Sequence, residues 1–349
     1  GGKRSIGLNL KSEKGKEIIL DLVKSADVLI HNFRPGVPER LGIGYESVSK
    51  LNPQIIYLQS NGYGPDGPGA LRPSTHPIPG AAMGGVVYQM GEKLPTEVQD
   101  MESLRLWTKR LMRANEVNPD PNTAMVVCTS VMLGLMARKT TGEGQQIFMD
   151  MFGANAYANH DDFLSYPGKA SRPLADDLMH GLSPTYRLYE CANNEWIFLA
   201  LITKQEKEEF SRILSNSGID TLEIDPTTDN ETLIEKLEAL FKTQSALNWE
   251  KLFAPEGIGC VRADGLAPSQ FWLEDEQIQS LNLSKKTRYP NWGEYHRHGP
   301  NVLFSCGVDH LGAAPTGGQH SEEILSDLGY ERAQIEEFIK TGVIWKEVS

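Results

Sequence analysis

Apolar and polar positions alternate in a regular way over the first 60 residues. After Ser12 the apolar residues recur every three or four positions, which predicts an α-helix that the serine caps. The apolar run DVLIH (27–31) predicts a short buried strand. A second helix is predicted over 45–52, ending before Pro53, and QIIYLQS (54–60) has the continuous apolar run of a parallel strand. Helix alternating with strand predicts an α/β sheet.

The middle of the chain begins with an irregular stretch. Residues 61–85 are dense in Gly and Pro, which predicts a loop of the kind that lines a site. An amphipathic helix is predicted over 101–116, and a helix over 121–139 is apolar on most faces, which predicts that it is buried. A Gly-rich turn at 140–145 precedes an apolar strand, and 153–166 has the pattern of another helix.

The pattern changes at Tyr186. Residues 186–202 read as a hairpin, with a polar Ala-Asn-Asn turn between two strand-like runs. Helices are predicted at 204–215 and 231–243, before a loop-rich region over 254–301. Two short helices are predicted after residue 320. The change in texture indicates a second domain.

Composition and charge narrow the class of protein. The 349 residues are 40% hydrophobic and 23% charged, as in globular proteins of about two domains. The net charge of −12 argues against a nucleic-acid or anionic-membrane partner, and the longest apolar stretch, Ala124 to Ala137, is too short to span a bilayer. Four cysteines without metal-type spacing and a polar start favour a reducing compartment, so we expect a cytoplasmic protein without a metal centre.

The hexapeptide NPDPNT (118–123) contains the most informative carboxylate. Asp120 has the pattern of a helix cap, with Pro121 at the first helical position. A carboxylate at a helix N-terminus is also held ionised, which suits a nucleophile or a base. The two interpretations are compatible.

Other polar residues each have a structural and a chemical interpretation. His76 lies in the Gly/Pro stretch and is either a surface residue or a catalyst. Asp150 has the pattern of another helix cap. His296 and His298 lack a third ligand nearby and are interpreted as loop residues.

Arg34 and Arg40 flank a Pro-Gly pair. Two arginines near a helix start can clamp a phosphate, and they can equally be solvated surface residues.

Four segments together resemble one known family. They are GKRSIGLNLKSEKGKEIILDLVKSADVLIHNFRPGVPERLGIGYE (2–46), LNPQIIYLQSNGYGPDGP (51–68), TGEGQ (141–145) and GGQHSEEILSDLGY (317–330). In this order they are similar to the family III CoA transferases, a group that includes formyl-CoA transferase, carnitine CoA-transferase and α-methylacyl-CoA racemase.

The resemblance implies a fold and an assembly. We expect a Rossmann-like large domain with a parallel sheet, over 1–185 and 311–349, interrupted by a smaller α+β domain over 186–310. Family members form interlocked dimers, so a homodimer is expected. The family's first strand and helix precede the signature with which this sequence opens. The sequence therefore resembles a member without that segment, or one half of a tandem protein.

The resemblance also implies a site. The positions that match the CoA-binding motif are Leu8, Lys11, Asn32, Phe33, Arg34 and Arg40. Counting back from Gly142 along the preceding helix places the family's catalytic aspartate at Asp120, which would transfer CoA between an acyl-CoA and a small carboxylic acid. CoA is then a substrate, and no permanently bound cofactor is expected.

Two other functions are compatible with the resemblance. In a racemase, His76 and Asp120 would exchange a proton at the α-carbon of an acyl-CoA, although racemases follow that histidine with Asp where Pro77 stands here. The third possibility is an inactive half that supports an active partner chain.

Overall fold

The structure is a computed structural model that describes residues 2–75, 77–91, 97, 100–112, 119–219, 224–227, 231–289, 291–300, 302–306 and 312–347. The chain divides into two compact units. The first comprises Gly1–Gly85, Ala114–Ser165 and Glu276–Ser349, and the second comprises Val86–Arg113 and Tyr166–Asp275. The interval 186–310, expected as the small domain, overlaps the second unit over 186–275.

The described strands are β1 (Gly7–Leu8), β2 (Val28–His31), β3 (Ile56–Asn61), β4 (Gln145–Asp150), β5 (Gly181–Ser183), β6 (Tyr186–Glu190), β7 (Trp196–Ala200), β8 (Gly259–Arg262), β9 (Ser284–Tyr289), β10 (Gly293–His298) and β11 (Ile344–Trp345). The described helices are α1 (Glu13–Ser25), α2 (Val37–Arg40), α3 (Tyr45–Leu51), α4 (Pro77–Ala82), α5 (Gly85–Met90), α6 (Met101–Leu111), α7 (Pro119–Thr141), α8 (Met151–Ala158), α9 (His160–Phe163), α10 (Lys204–Asn216), α11 (Glu231–Phe241), α12 (Ala246–Phe253), α13 (Pro268–Glu274), α14 (Glu276–Ser280), α15 (Ser321–Asp327) and α16 (Arg332–Lys340).

A parallel sheet of strand order β2-β3-β4 forms the centre of the first unit. The helix predicted after Ser12 is confirmed as α1. The Ser12 hydroxyl accepts a hydrogen bond from Gly15 N at 3.0 Å and so caps this helix. The apolar run of β3 is buried along nearly its whole length, as expected of a strand covered on both faces. The predicted α/β class with a parallel sheet is therefore confirmed.

The sheet is covered by buried apolar side chains from the helices. Val23 of α1 and Val48 of α3 cluster with Ile55 and Tyr57, and all four are at most 2% exposed. The Asn52 amide donates to the carbonyls of Val23 (3.0 Å) and Ala26 (2.8 Å), and so satisfies the end of α1. This packing joins the first helix to the start of β3.

Helix α7 departs from its sequence prediction. One face packs on the sheet, but Met125 (69% exposed), Met132 (59%), Leu133 (60%) and Met136 (63%) lie open on the other. The expectation of a wholly buried helix is wrong for a single chain, because the sheet can cover only one side of a helix. Among the described helices, none has the length and apolar run needed to cross a membrane.

The second unit contains an antiparallel sheet of order β5-β6-β7-β8. The predicted hairpin is confirmed, with Asn193 and Asn194 at positive φ (64° and 58°) in its turn, a conformation that Asn tolerates. Phe210, Trp249 and Phe253 stack behind the sheet, and the Trp249 indole N–H donates to Phe241 O at 2.9 Å. An independent core of this kind supports a separate folding unit.

Four sequence predictions were wrong in detail. The loop predicted over 61–85 contains α4, and α6 ends at Leu111 rather than near residue 116. The region 254–301 contains two strands that pair as a hairpin, β9 and β10. His296 and His298 lie on β10, not in a loop, where alternation places both on its exposed face.

The turn before β4 brings two backbones into contact at Gly144. Its N–H donates to Pro53 O at 2.9 Å, and a Cβ at this position would lie 2.2 Å from Ile55 O and 2.5 Å from Gln54 C. The second glycine of the TGEGQ motif is thus required by the approach of the turn to the start of β3.

We predict that Gly144→Ala lowers the free energy of unfolding by about 1–3 kcal/mol, because the backbone of the turn must shift to admit the methyl group. Gly312→Ala is the control, since a Cβ there meets no atom within 4 Å. Chemical denaturation of both variants measures the difference. Equal stability of the two variants would show that the turn accommodates a side chain.

Candidate active site

Helix α7 runs antiparallel to the strands that it covers. A Cβ at Gly134 would lie 3.0 Å from both Ile56 Cγ2, at the start of β3, and Ile147 Cδ1. One turn further on, the Arg138 guanidinium donates to Gln54 O at 3.0 Å. The last turns of α7 therefore lie at the amino ends of the strands.

The first turn of α7 consequently lies at the carboxyl ends of the strands. Asp120 precedes Gly134 by 14 residues, which is about 21 Å of helix and close to the length of a six-residue strand. The Asn122 amide donates to Asn155 Oδ1 of α8 at 2.9 Å, and Asn155 is fully buried. Because α8 follows directly from β4, this bond ties the start of α7 to the same edge of the sheet.

Asp120 itself is exposed and lies inside the first helical turn. The prediction that it caps a helix beginning at Pro121 is corrected, since α7 begins two residues earlier, at Pro119. A carboxylate at this position adjoins the positive end of the helix dipole. The position suits a nucleophile that must stay charged.

Thr123 lies one turn after Asp120 and faces the protein interior. Its side chain is 7% exposed, and in the part of the chain that the structure describes its hydroxyl has no hydrogen-bond partner. A buried hydroxyl without a partner costs free energy, and such groups often mark a functional site. The candidate site therefore contains a hydrogen-bond donor that the folded protomer does not use.

Polar residues end all three parallel strands at this edge. The Asn61 side chain closes a turn after β3, accepting from Gly64 N at 2.7 Å and donating to Gly64 O at 3.0 Å. Asp150 caps α8 through Gly153 N at 2.9 Å, which confirms its predicted capping role. In open α/β sheets ligands bind beyond the carboxyl ends of the strands, so these turns form the floor of a candidate site.

The remaining parallel strand, β2, ends at His31 and is followed by the segment Asn32-Phe33-Arg34. The Phe33 N–H donates to His31 Nδ1 at 3.3 Å, and the Phe33 carbonyl accepts from Gln59 Nε2 at 3.2 Å. Asn32 and Arg34 are exposed, whereas Phe33 is half-buried. Two side chains of the sheet thus hold the backbone of Phe33 and leave its polar neighbours free to meet a ligand.

The remaining predicted binding residues lie on the first two helices and the strand before them. Arg40 is exposed at the end of α2, whose N-cap residue Gly36 has φ 80°, a conformation that glycine adopts readily. Lys11 is exposed just before α1, whose last turn leads into β2, so its first turn lies toward the carboxyl edge. Leu8 is half-buried and packs against the cluster around Ile18.

The geometry thus directs Asp120, Asn32, Phe33, Arg34, Arg40 and Lys11 toward the carboxyl edge of the parallel sheet, although α1 and α7 cover opposite faces of that sheet. His76 lies outside the described residues. The sequence patterns did not single out His31 or Thr123. The signal available for each residue is that a polar side chain stands within a run of apolar positions. No group of three metal-ligating side chains occurs among the described residues.

Burial shifts the pKa values of His31 and Tyr57. It lowers the pKa of His31, although the carboxylate of Glu39 opposes that shift. Burial also raises the pKa of Tyr57, whose hydroxyl lies 2.8 Å from His31 Nε2. Both side chains are therefore neutral at neutral pH.

The fold is of the α/β class, and the candidate site at the carboxyl edge of its parallel sheet combines an exposed carboxylate with exposed cations. The sequence profile described as CoA-transferase family III matches residues 1–321. The chain belongs to this family, and it is an enzyme of the family III CoA-transferase type.

Three similar proteins illustrate the range of the family. An acyl-CoA transferase of Fusarium pseudograminearum is 26% identical over 98% of this chain and 73% of its own length. The α-methylacyl-CoA racemase of Homo sapiens is 24% identical over 96% and 83%. The crystal structure of Rv3272 from M. tuberculosis has a TM-score of 0.67 at 18% identity, covering 92% of this chain and 83% of that one, and so shows the shared fold.

We predict that Thr123→Val leaves the free energy of unfolding unchanged or raises it by up to about 1 kcal/mol, because it removes a buried hydroxyl without a partner. Thr243→Val is the matched control, since its hydroxyl donates to Leu240 O at 2.7 Å, and its loss should cost about 1 kcal/mol. Urea denaturation compares the two. A clear loss of stability in Thr123→Val would mean that the hydroxyl has a structural partner.

Proposed function

We propose that the chain transfers CoA from an acyl-CoA thioester to a small carboxylic acid, with Asp120 as the nucleophile. The observation that carries the proposal is the position of Asp120, in the first turn of α7 at the carboxyl edge of the parallel sheet. Family membership supports CoA chemistry in general. The assignment of this carboxylate and of the substrates is our inference.

The first half-reaction loads CoA onto the enzyme. An Asp120 carboxylate oxygen attacks the acyl carbonyl, the carbon–sulfur bond breaks, and CoA leaves as the thiolate, which gives a mixed anhydride. The thiolate then attacks the aspartyl carbonyl of that anhydride and expels the donor acid as its carboxylate. The product is an aspartyl-CoA thioester, and no net proton is taken up or released.

The second half-reaction unloads CoA by the reverse steps. The acceptor carboxylate attacks the aspartyl thioester and expels the CoA thiolate, which gives a second mixed anhydride. The thiolate attacks the acceptor acyl carbonyl, forms the new thioester and regenerates the Asp120 carboxylate. Each tetrahedral intermediate carries an oxyanion, and the hydroxyl of Thr123, one turn away, is a donor suited to that charge.

The CoA moiety is proposed to lie across the ends of β2 and the first two helices. Lys11, Arg34 and Arg40 would meet its phosphates, because charge-assisted hydrogen bonds are the strongest available to exposed cations. Asn32, Phe33 and Leu8 would contact the remainder. The chain as a whole carries a net charge of −12, so an anionic ligand would be attracted by these cations and not by the overall charge of the protein.

Racemisation is the second candidate, favoured by the similarity to the human α-methylacyl-CoA racemase. In that reaction His76 and Asp120 would exchange a proton at the α-carbon. Incubation of acyl-CoA in deuterium oxide without an acceptor acid separates the two functions. Deuterium at the α-carbon would support racemisation, whereas CoA exchange that depends on the acid supports transfer.

A homodimer is also proposed as the active assembly. The supporting observation is the exposed apolar stripe of α7, Met125, Met132, Leu133 and Met136, which is larger than isolated surface residues would give. A groove of about 380 Å³ beside Met132 and Met136 continues this stripe. A second copy of the chain would bury both.

We predict that Asp120→Asn lowers the rate of CoA transfer by at least about three orders of magnitude, because the amide is a poor nucleophile. Stability should change little, since the position is exposed. Asp100→Asn is the control, because Asp100 caps α6 through Ser103 N at 2.7 Å outside the candidate site and Asn also caps helices.

The same samples test the covalent intermediate. Hydroxylamine should convert Asp120 to a hydroxamate in the wild-type enzyme only when acyl-CoA is present, and peptide mass spectrometry locates the modification. Transfer at the wild-type rate by Asp120→Asn, or a hydroxamate on another carboxylate, would remove Asp120 from the nucleophilic role.

We predict that Met132→Lys weakens dimerisation by about thirtyfold, which corresponds to about 2 kcal/mol for the lost burial of an apolar side chain. Met132→Leu is the control, because it keeps the stripe apolar. Sedimentation equilibrium measures both. A dimer of unchanged affinity in Met132→Lys would place the interface elsewhere.

A further inference from the structure

The hydrogen bonds beneath Phe33 run in a single direction. The Phe33 N–H donates to His31 Nδ1, so this nitrogen carries a lone pair and the imidazole proton lies on Nε2. His31 Nε2 donates to the Tyr57 hydroxyl at 2.8 Å, and that hydroxyl donates to Ile43 O at 3.0 Å. Each donor and acceptor in this row of hydrogen bonds has a partner only when the His31 imidazole is neutral.

This row of hydrogen bonds joins the two segments of the polypeptide that carry candidate CoA-binding residues. At one end is Phe33, between Asn32 and Arg34, and at the other is Ile43, three residues after Arg40. Tyr57 is fully buried and His31 is 9% exposed, so solvent cannot replace the bonds between them. The edge-on contact of their rings, with centroids 5.1 Å apart, fixes the imidazole plane.

We propose that His31 is a positioning residue for CoA binding, which in its neutral form holds the segment Asn32-Phe33-Arg34 against the segment that carries Arg40. The inference rests on the proposed CoA site but not on the identity of the nucleophile. Protonation at Nδ1 would set a donor against the Phe33 N–H and release that backbone. Affinity for CoA should therefore fall in acid.

The surroundings of His31 support a neutral ring. Burial lowers its pKa, and the groups that face it are the Tyr57 hydroxyl from β3 and the Glu39 carboxylate from α2, which opposes the shift. Because the folded-state pKa lies below the ordinary value of about 6.5, the unfolded chain binds more protons as the pH falls. The stability contributed by neutral His31 is thus fully present above about pH 6.5 and is lost as the pH falls from there through the lower folded-state pKa.

The test measures CoA binding to the 349-residue chain by calorimetry at two pH values, about pH 7.5 and a lower pH at which a histidine nitrogen spectrum shows His31 protonated while the protein is still folded. His31→Asn is the informative variant, because an Asn side chain can accept the N–H two residues on but does not titrate. His31→Ala removes the acceptor at every pH. His320→Asn is the matched control, since His320 Nδ1 accepts from Ser5 N at 3.1 Å at another place in the fold.

We expect His31→Ala to bind CoA at least about fivefold more weakly at the higher pH, because the Phe33 N–H loses its acceptor and the Tyr57 hydroxyl loses its donor. His31→Asn should restore most of that affinity. Between the two pH values, the wild type and His320→Asn should lose about fivefold more affinity than His31→Asn. Titration of the CoA phosphates affects the wild type and the variants equally. The comparison with His31→Asn therefore cancels its contribution to the pH dependence of binding.

Two results would overturn the inference. One is an equal pH dependence in the wild type and His31→Asn. The other is a histidine nitrogen spectrum of the wild type that places the His31 proton on Nδ1, a readout that needs neither a variant nor a ligand. Arg40→Ala serves as the separate check of the site. If the wild type binds no CoA at either pH, the proposed CoA site fails, and this inference fails with it.

Discussion

The contact between α7 and the parallel sheet is the constraint on which the candidate site depends. At Gly134 the helix approaches Ile56 and Ile147 so closely that a methyl group would lie 3.0 Å from both side chains. The approach fixes the direction of the helix, with Arg138 bound to the amino end of β3. As a result, the first turn, with Asp120, projects over the carboxyl edge, where ligands bind in folds of this class.

Polar side chains complete the candidate site by hydrogen-bonding to the backbone of the segments that follow the strands. Asn61 and Asp150 close the turns after β3 and β4, and His31 and Gln59 hold the two sides of Phe33. Hydrogen bonds from side chain to backbone restrict the conformations of a loop before any ligand arrives. Thr123 is the exception, because its hydroxyl is buried without a hydrogen-bond partner among the described residues. A rigid floor with one unused donor is the arrangement expected of a site that must stabilise a transient charge.

The exposed face of α7 carries apolar side chains that a single chain leaves open to solvent. The apolar pattern of this helix extends around most of its circumference, and the sheet covers only the side of Thr123 and Gly134. Met132 and its neighbours on the other side remain open to solvent in one chain. The same helix therefore carries the proposed nucleophile at its start and the proposed dimer surface along its length, so assembly and catalysis would share one element.

Local patterns determined much of this protein. The period of the apolar residues and the cap at Ser12 predicted α1, β2, α3 and β3, since these elements depend on residues close in the chain. The motifs around Arg34 and Gly142 were sufficient to indicate the family. Tertiary structure alone decided the rest: which face of α7 is covered, where α7 begins relative to Asp120, and the bonds that join His31 to Tyr57. Such contacts connect residues far apart in the chain, and no local periodicity encodes the distance between them.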